Sequence, residues 1–287
     1  MIKKEEMIMM ESGMGSRKDD GLEGRSYAQP SAGMPEYAEE VFGFCKKLRL
    51  SHAFAERATA KGEVGNLAYL HDLLREEVSY RRDVRVGKLL KASGIPNRYN
   101  PAEFDPSQVC FPDGVTYESL VGLEFFSEDP ARRKNIVMLG KPGTGMTMLS
   151  CIIGQKACER GIRTAFFRTA SLVARLNAYK KEGGLEEFRE GLMKASVFIF
   201  DEFGYVPYDR AGSLLLFDLM SEIHNDNSKV VILNTGLKFM DWPGVLCDER
   251  IAASLSGRLL ERCHVVMFGG EDMRLKGFGT KGGKAAK

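Results

Sequence analysis

Gly140 and Gly145 stand five residues apart in NIVMLGKPGTGMTML (135–149), with Thr147 two residues further on. An apolar strand, a glycine-rich turn and a helix start in this order outline a phosphate-binding loop, G-x-x-x-x-G-K-[ST]. The glycines let successive backbone N–H groups point into one concavity, and the following helix N-terminus adds partial positive charge. Gly140, Lys141, Pro142, Gly143, Thr144, Gly145, Met146, Thr147 and Met148 are therefore the candidate contacts to a nucleotide, with Thr147 as a candidate Mg²⁺ ligand. The loop's lysine is missing: Met146 stands in its place. Loss of one charge-assisted hydrogen bond costs about 1.5–3 kcal/mol, roughly ten- to a hundredfold in nucleotide affinity. The transition state, with more charge on the phosphoryl group, should lose more. The second candidate constellation is VFIFDEFGYVP (197–207), a buried apolar strand that ends in Asp201-Glu202. Asp201 would reach a metal at the strand's carboxyl end, and Glu202 would polarise an attacking water. With both motifs present in this order, ATP and Mg²⁺ are the expected cofactors.

Short β-branched strands must carry these residues. NIVML, RTAFF, VFIFD, KVVILN and CHVVMF alternate with helical patterns, which predicts a parallel sheet with helices on both faces. Residues 131–276 are assigned to this α/β nucleotide-binding domain. A small all-helical domain precedes it at 35–95. There Tyr37, Val41, Phe44 and Leu48 recur at helical spacing, and a long helix turns Leu67, Leu70, Leu74 and Val78 inward before stopping at Gly94. Residues 96–130, dense in Pro and Gly, read as a linker. Residues 1–34 read as a disordered leader, with Met10, Met14 and Met34 as alternative starts, and 277–287 as a flexible basic tail.

The 287 residues are 44% hydrophobic and carry a net charge of +2, so any basic surface must be local. Six scattered cysteines without a CxxC pair argue against a zinc site and for a reducing, cytoplasmic setting. No apolar run is long enough for a membrane helix. The four histidines (52, 71, 224, 264) do not cluster and are read as structural. Tyr69, Tyr80 and Phe54 are read as core.

Beyond its motifs, the chain resembles the AAA+ helper ATPases of insertion-sequence transposons, the IstB type, and their relatives, the DnaC-type helicase loaders. NIVMLGKPGTGMT, RTAFFRTASLVARLNAYKKEGGLEEF, FIFDEFGYVPYDRAGSLLLFDLMSEIH, LKFMDW and SGRLLERCHVVMFGGEDMRLKG carry the resemblance over roughly 36–276. The DEFGYVPYDRAG and GRLLERCH segments favour IstB over the loaders. The resemblance implies an AAA+ P-loop core and a homo-oligomer with nucleotide at its subunit interfaces. Arg258 would be an arginine finger toward a neighbour, and Arg274 a sensor of the γ-phosphate. It implies duplex DNA and a transposase as partners, with a replicative helicase as the alternative and a non-hydrolysing DNA-binding scaffold as a further one. Two departures fall on hydrolysis: Met146, and Gly236 where the family carries a polar sensor residue, for which Asn234 or Thr235 could substitute. A nucleotide binder with slow or absent turnover is the expectation. Lys141 reads as solvent-facing; the alternative is that it restores some of the missing charge, in cis or in trans.

Arg81, Arg82, Arg85, Lys88 and Lys91, with Arg98 beyond them, face a single acid, Asp83, between residues 80 and 98. Such a stripe suits a duplex backbone, without base reading. Arg175, Lys180 and Lys181, on the helix after the second strand, form a second DNA candidate, with Arg168 before them; by resemblance this helix faces the pore of the oligomer.

Overall fold

The computed structural model describes residues 36–60 and 64–270. The leader, the basic tail, the alternative starts and Arg274 lie outside them. The chain divides into two compact units, the first ending at Lys88 and the second beginning at Leu89.

The first unit is helical. Helices α1 (Glu36–Lys47), α2 (His52–Ala60) and the first part of α3 (Val64–Ala92) enclose a core of Ala38, Val41, Cys45, Leu48, Ala55, Leu67 and Leu74, with Tyr37, Phe44, Leu70 and Val78 packed against it. The helical spacing read from the sequence thus marks the inward faces. His71 is buried in this core, against the rings of Tyr37 and Phe44, and pairs with Glu40 and Asp72. Tyr69, Tyr80 and Phe54 are not core: they are 69%, 66% and 42% exposed. On α3 the reason is angular. Tyr69 and Tyr80 each lie two positions after an inward residue, Leu67 and Val78, which turns them about 200° round the helix. Arg81, Arg82, Arg85 and Lys88 are exposed, and Arg81 pairs with Glu77 at 2.6 Å.

The second unit is a six-stranded sheet covered by helices. Its strands are β1 (Val109–Cys110), β2 (Asn135–Gly140), β3 (Thr164–Arg168), β4 (Val197–Phe203), β5 (Val230–Thr235) and β6 (Cys263–Phe268). The order across the sheet is β1-β6-β2-β5-β4-β3, parallel throughout except for β1 against β6. The five long strands are those the sequence pattern marked. β2 to β5 are buried on both faces, which is why they read as continuous apolar runs rather than alternations, whereas β6 is only partly covered. The helices are α4 (Tyr117–Val121), α5 (Met146–Glu159), α6 (Thr169–Glu182), α7 (Leu185–Leu192), α8 (Arg210–Asn225), α9 (Trp242–Leu246) and α10 (Glu249–Glu261). An edge of the sheet is protected by chain from the end of α3: Phe166 N–H of β3 donates to the Ser93 carbonyl at 2.7 Å.

Residues 96–130 are not a linker. Their Pro-led 3₁₀ turns, β1 and α4 are folded onto the sheet, and Phe104, Leu120, Leu123 and Phe125 are buried in the same core as Ile136, Leu149 and Ile199. Proline and glycine here mark tight turns between short packed pieces. Leu120→Ala is expected to destabilise the protein by about 2–5 kcal/mol, the usual cost of a core truncation. Urea unfolding measures it, and a loss below about 0.5 kcal/mol would restore the linker reading.

Candidate nucleotide site

Parallel strands bring their carboxyl ends to one edge, where an open α/β sheet binds its ligands. Here β5 lies between β2 and β4, so three strand ends converge on one place. β2 delivers the loop, β4 delivers Asp201 and Glu202, and β5 delivers Asn234. The cavity they enclose is about 700 Å³ and is lined by loop residues Pro142, Gly143 and Gly145 to Met148, by Asp201 to Tyr205, by Asn234 to Leu237 and by Tyr99.

The loop has its phosphate-binding shape. Gly143 and Gly145 sit at φ +84° and +104°, in the left-handed region where a side chain would strain the backbone. Gly145 caps α5 without any side-chain hydrogen bond, leaving the first N–H groups of the helix to the cavity. The Thr144 hydroxyl donates to the Lys141 carbonyl at 2.7 Å and closes the turn. Met146 opens α5 and lines the cavity; its side chain is half-buried against the sheet core, as is that of Met148. Lys141 is exposed and does not line the cavity.

Asp201 is 3% exposed, and its carboxylate accepts hydrogen bonds from two side chains. The Thr147 hydroxyl faces both its carboxylate oxygens, at 3.0 and 3.1 Å, and Asn234 Nδ2 donates to Oδ1 at 2.8 Å. The same Asn234 amide donates to Ser150 Oγ at 2.9 Å, while its Oδ1 is buried with no hydrogen-bond partner. A carboxylate, a hydroxyl and an unsatisfied amide oxygen, with no cation among them, fit a hydrated magnesium ion, which takes oxygen ligands and keeps several waters. Thr147 and Asp201 are the residues that would hold it. Behind them, burial first and then the charge of Asp201 push the Cys151 thiol up to about 12, so it stays a neutral core residue.

Glu202 points outward. The pairing of β4 with β5 shifts between Phe200 and Phe203, and within that bulge Glu202 adopts φ +55°, uncommon for a residue with a side chain. Its carboxylate lies 3.8 Å from Arg168 Nε at the end of β3. A bulge at a strand end is a device for re-aiming one side chain, and here it separates Glu202 from the buried Asp201 next to it.

Gly236 lines the cavity, but its position lacks a side chain. The polar group that reaches Asp201 is Asn234, two residues earlier and still within β5. Thr235 is turned away, donating to the Phe203 carbonyl at 2.9 Å. Arg258, on α10, is not among the lining residues. Its guanidinium lies over the Phe217 ring and donates to Ser221 Oγ on α8. Arg175 lies over the Phe188 ring on α7, at 4.9 Å from the centroid, whereas Arg168, Lys180 and Lys181 are exposed. Sequence reasoning missed Tyr99, which lines the cavity and is fixed by two hydrogen bonds between its backbone and the Gln155 side chain, at 2.9 and 3.2 Å. It also missed Ser150. An isolated tyrosine in a Pro-rich stretch and a serine inside an apolar helix have no periodic signal.

All six cysteines are free thiols, and no group of three or more His, Cys, Asp or Glu among the described residues is placed to hold a metal. No helix among the described residues is long and apolar enough to cross a membrane.

A phosphate loop after β2, an acidic end on β4 and an interposed β5 bearing a polar residue define a P-loop nucleotide-binding protein of the AAA+ class. The chain belongs to the family of IstB-like ATP binding proteins, whose model matches residues 45–279. It is 30% identical over 244 residues to a protein of Geobacillus stearothermophilus described as an ATP-binding protein of insertion sequence IS5376, covering 83% of this chain and 94% of that one. It is 31% identical over 217 residues to the corresponding IS21 protein of Pseudomonas aeruginosa, covering 76% and 80%. Among solved structures, the DnaC helicase loader is similar at 18% identity with a TM-score of 0.44, over 52% of this chain and 86% of that one, too slight a likeness to bear on function.

Proposed function

We propose that the chain is an ATP- and DNA-binding helper of insertion-sequence transposition with impaired hydrolysis. It assembles on duplex DNA in the cytoplasm as a homo-oligomer with nucleotide between subunits, and it recruits and stimulates the transposase. The observation that carries this reading is a phosphate loop with its glycine backbone beside an acidic strand end, with Met146 in place of the loop's cation. The backbone N–H groups of the loop would bind phosphates, Thr147 and Asp201 would hold Mg²⁺, and Glu202 is the base that would orient water. Magnesium, when bound, would neutralise phosphate charge; that is the chemistry it adds. Without the loop lysine the bound state outlasts turnover, so nucleotide acts as an assembly signal. Arg258 would serve a neighbouring subunit as its finger after leaving Ser221 and Phe217, and Arg274 would meet the γ-phosphate.

Exposed basic residues on α3 support DNA contact: Arg82, Arg85, Lys88 and Lys91 are all solvent-facing. Arg168, Lys180 and Lys181 supply a second basic face around α6. Each neutralised phosphate contributes about 0.9 to the slope of log affinity against log salt. The triple variant Arg82→Ala, Arg85→Ala, Lys88→Ala should therefore lower that slope by about 2–3 on duplex DNA of any sequence, as measured by fluorescence anisotropy across a salt series. An unchanged slope would move DNA off α3. Capture of a transposase, and not of a replicative helicase, separates the helper reading from a loader.

A further inference from the structure

The side chains lining the nucleotide cavity include two carboxylates, Asp201 and Glu202, and no lysine or arginine among the described residues. Arg168 stands outside the lining, its Nε 3.8 Å from the Glu202 carboxylate. Lys141 is exposed and its side chain is not part of the cavity wall. A triphosphate entering alone would bring several negative charges toward two more. Loop N–H groups and the start of α5 offer only partial charges against them. In an ordinary loop the lysine offsets this repulsion whether or not metal is present; Met146 cannot.

The buried Asn234 Oδ1 adds an independent observation. It is an acceptor with no donor, held beside Asp201 by an amide nitrogen already committed to Asp201 and Ser150. A buried acceptor left unsatisfied is costly, and its orientation here is fixed by those two hydrogen bonds. The donor it can receive is a water on a cation held by Asp201 and Thr147.

We propose that this cavity accepts its nucleotide as the metal complex alone, and that Asn234, standing in for the side chain absent at Gly236, accepts a hydrogen bond from a metal-bound water. This rests on the nucleotide-binding reading above and deepens it. Metal and nucleotide are then strongly cooperative: each raises the affinity for the other by the same factor. Free ATP is rejected, and the metal concentration becomes a control on assembly.

The test is equilibrium titration of the full chain with a fluorescent ATP analogue, in magnesium and in EDTA. Wild type should lose at least about a hundredfold in affinity in EDTA, the range of a lost charge-assisted contact to phosphate. Met146→Lys should retain most of its binding in EDTA, since the lysine restores a cation that needs no metal. In wild type, Asn234→Ala should raise the magnesium midpoint about tenfold at fixed nucleotide, the usual scale for a residue supporting a metal from behind its ligands. Asn234→Thr provides a second variant should the alanine unfold. Metal-free binding by wild type close to that in magnesium overturns the proposal and leaves the nucleotide site standing. If Arg274→Ala then abolishes that metal-free binding, the cation comes from the protein and the proposal fails for that reason. No saturable binding by wild type or by Met146→Lys in either condition sinks the nucleotide reading itself, and the proposal with it.

Discussion

Met146→Lys raises nucleotide affinity about ten- to a hundredfold, and raises turnover by more, on the order of 10²–10³. The position makes the change feasible. Met146 is the first residue of α5, directly after the left-handed Gly145, and its side chain already lines the cavity. Lysine and methionine both leave the backbone as straight methylene chains, so the new stem can follow the old one along the half-buried wall while its ammonium reaches the phosphates. Folding stability should change by less than about 1.5 kcal/mol, as for other near-isosteric exchanges. The two effects differ in size because charge on the phosphoryl group grows toward the transition state, where a fixed cation stabilises most. Nucleotide titration and single-turnover phosphate release measure them separately. Met146→Leu is the control for altered packing and should change neither. If Met146→Lys leaves both unchanged, the loop does not cradle phosphate.

The parts of the site that the sequence revealed are those set by local backbone chemistry. A glycine pair at fixed spacing before a helix start outlines a phosphate loop, and an apolar strand ending in Asp-Glu marks an acidic strand end; the directions of its two carboxylates were not legible, because a bulge turns Glu202 away from Asp201. The separation of loop and acidic strand end by β5 was not legible either, because strand order follows from packing of the whole sheet rather than from any one segment. That arrangement brings the Asn234 amide to Asp201 from inside β5. The segment 96–130 was misread for a related reason. Its prolines and glycines are strong local signals, while the burial of Phe104 and Phe125 depends on distant partners such as Phe268. On α3 the inward stripe was correct, but the tyrosines beside it were assigned by residue type instead of by angle. Arg258 was given its role by the resemblance of its segment, and Arg175 by charge and the resemblance of its helix; their stacking on Phe217 and Phe188 is invisible in one dimension.

Glu202→Gln, placed in the Met146→Lys background, keeps nucleotide binding and loses turnover by about 10²–10⁴, the usual contribution of a positioned general base. The two carboxylates have different environments and should fail differently. Asp201 is buried and hydrogen-bonded by Thr147 and Asn234, so its removal damages metal and nucleotide binding alike. Glu202 is exposed, lines the cavity from a bulge and pairs with Arg168, so its loss leaves the phosphate cradle intact. Its left-handed backbone provides a second readout. A non-glycine residue held there costs about 1–3 kcal/mol, which the surrounding fold must offset. Glu202→Gly should therefore lose turnover as Glu202→Gln does, yet raise the unfolding free energy by about 1 kcal/mol, whereas Glu202→Gln leaves it level. Urea denaturation with phosphate release on the same three proteins decides the matter. A gain in stability without loss of turnover would mean that the strained backbone serves the fold and not the chemistry. Full turnover by the glutamine variant would place the base elsewhere.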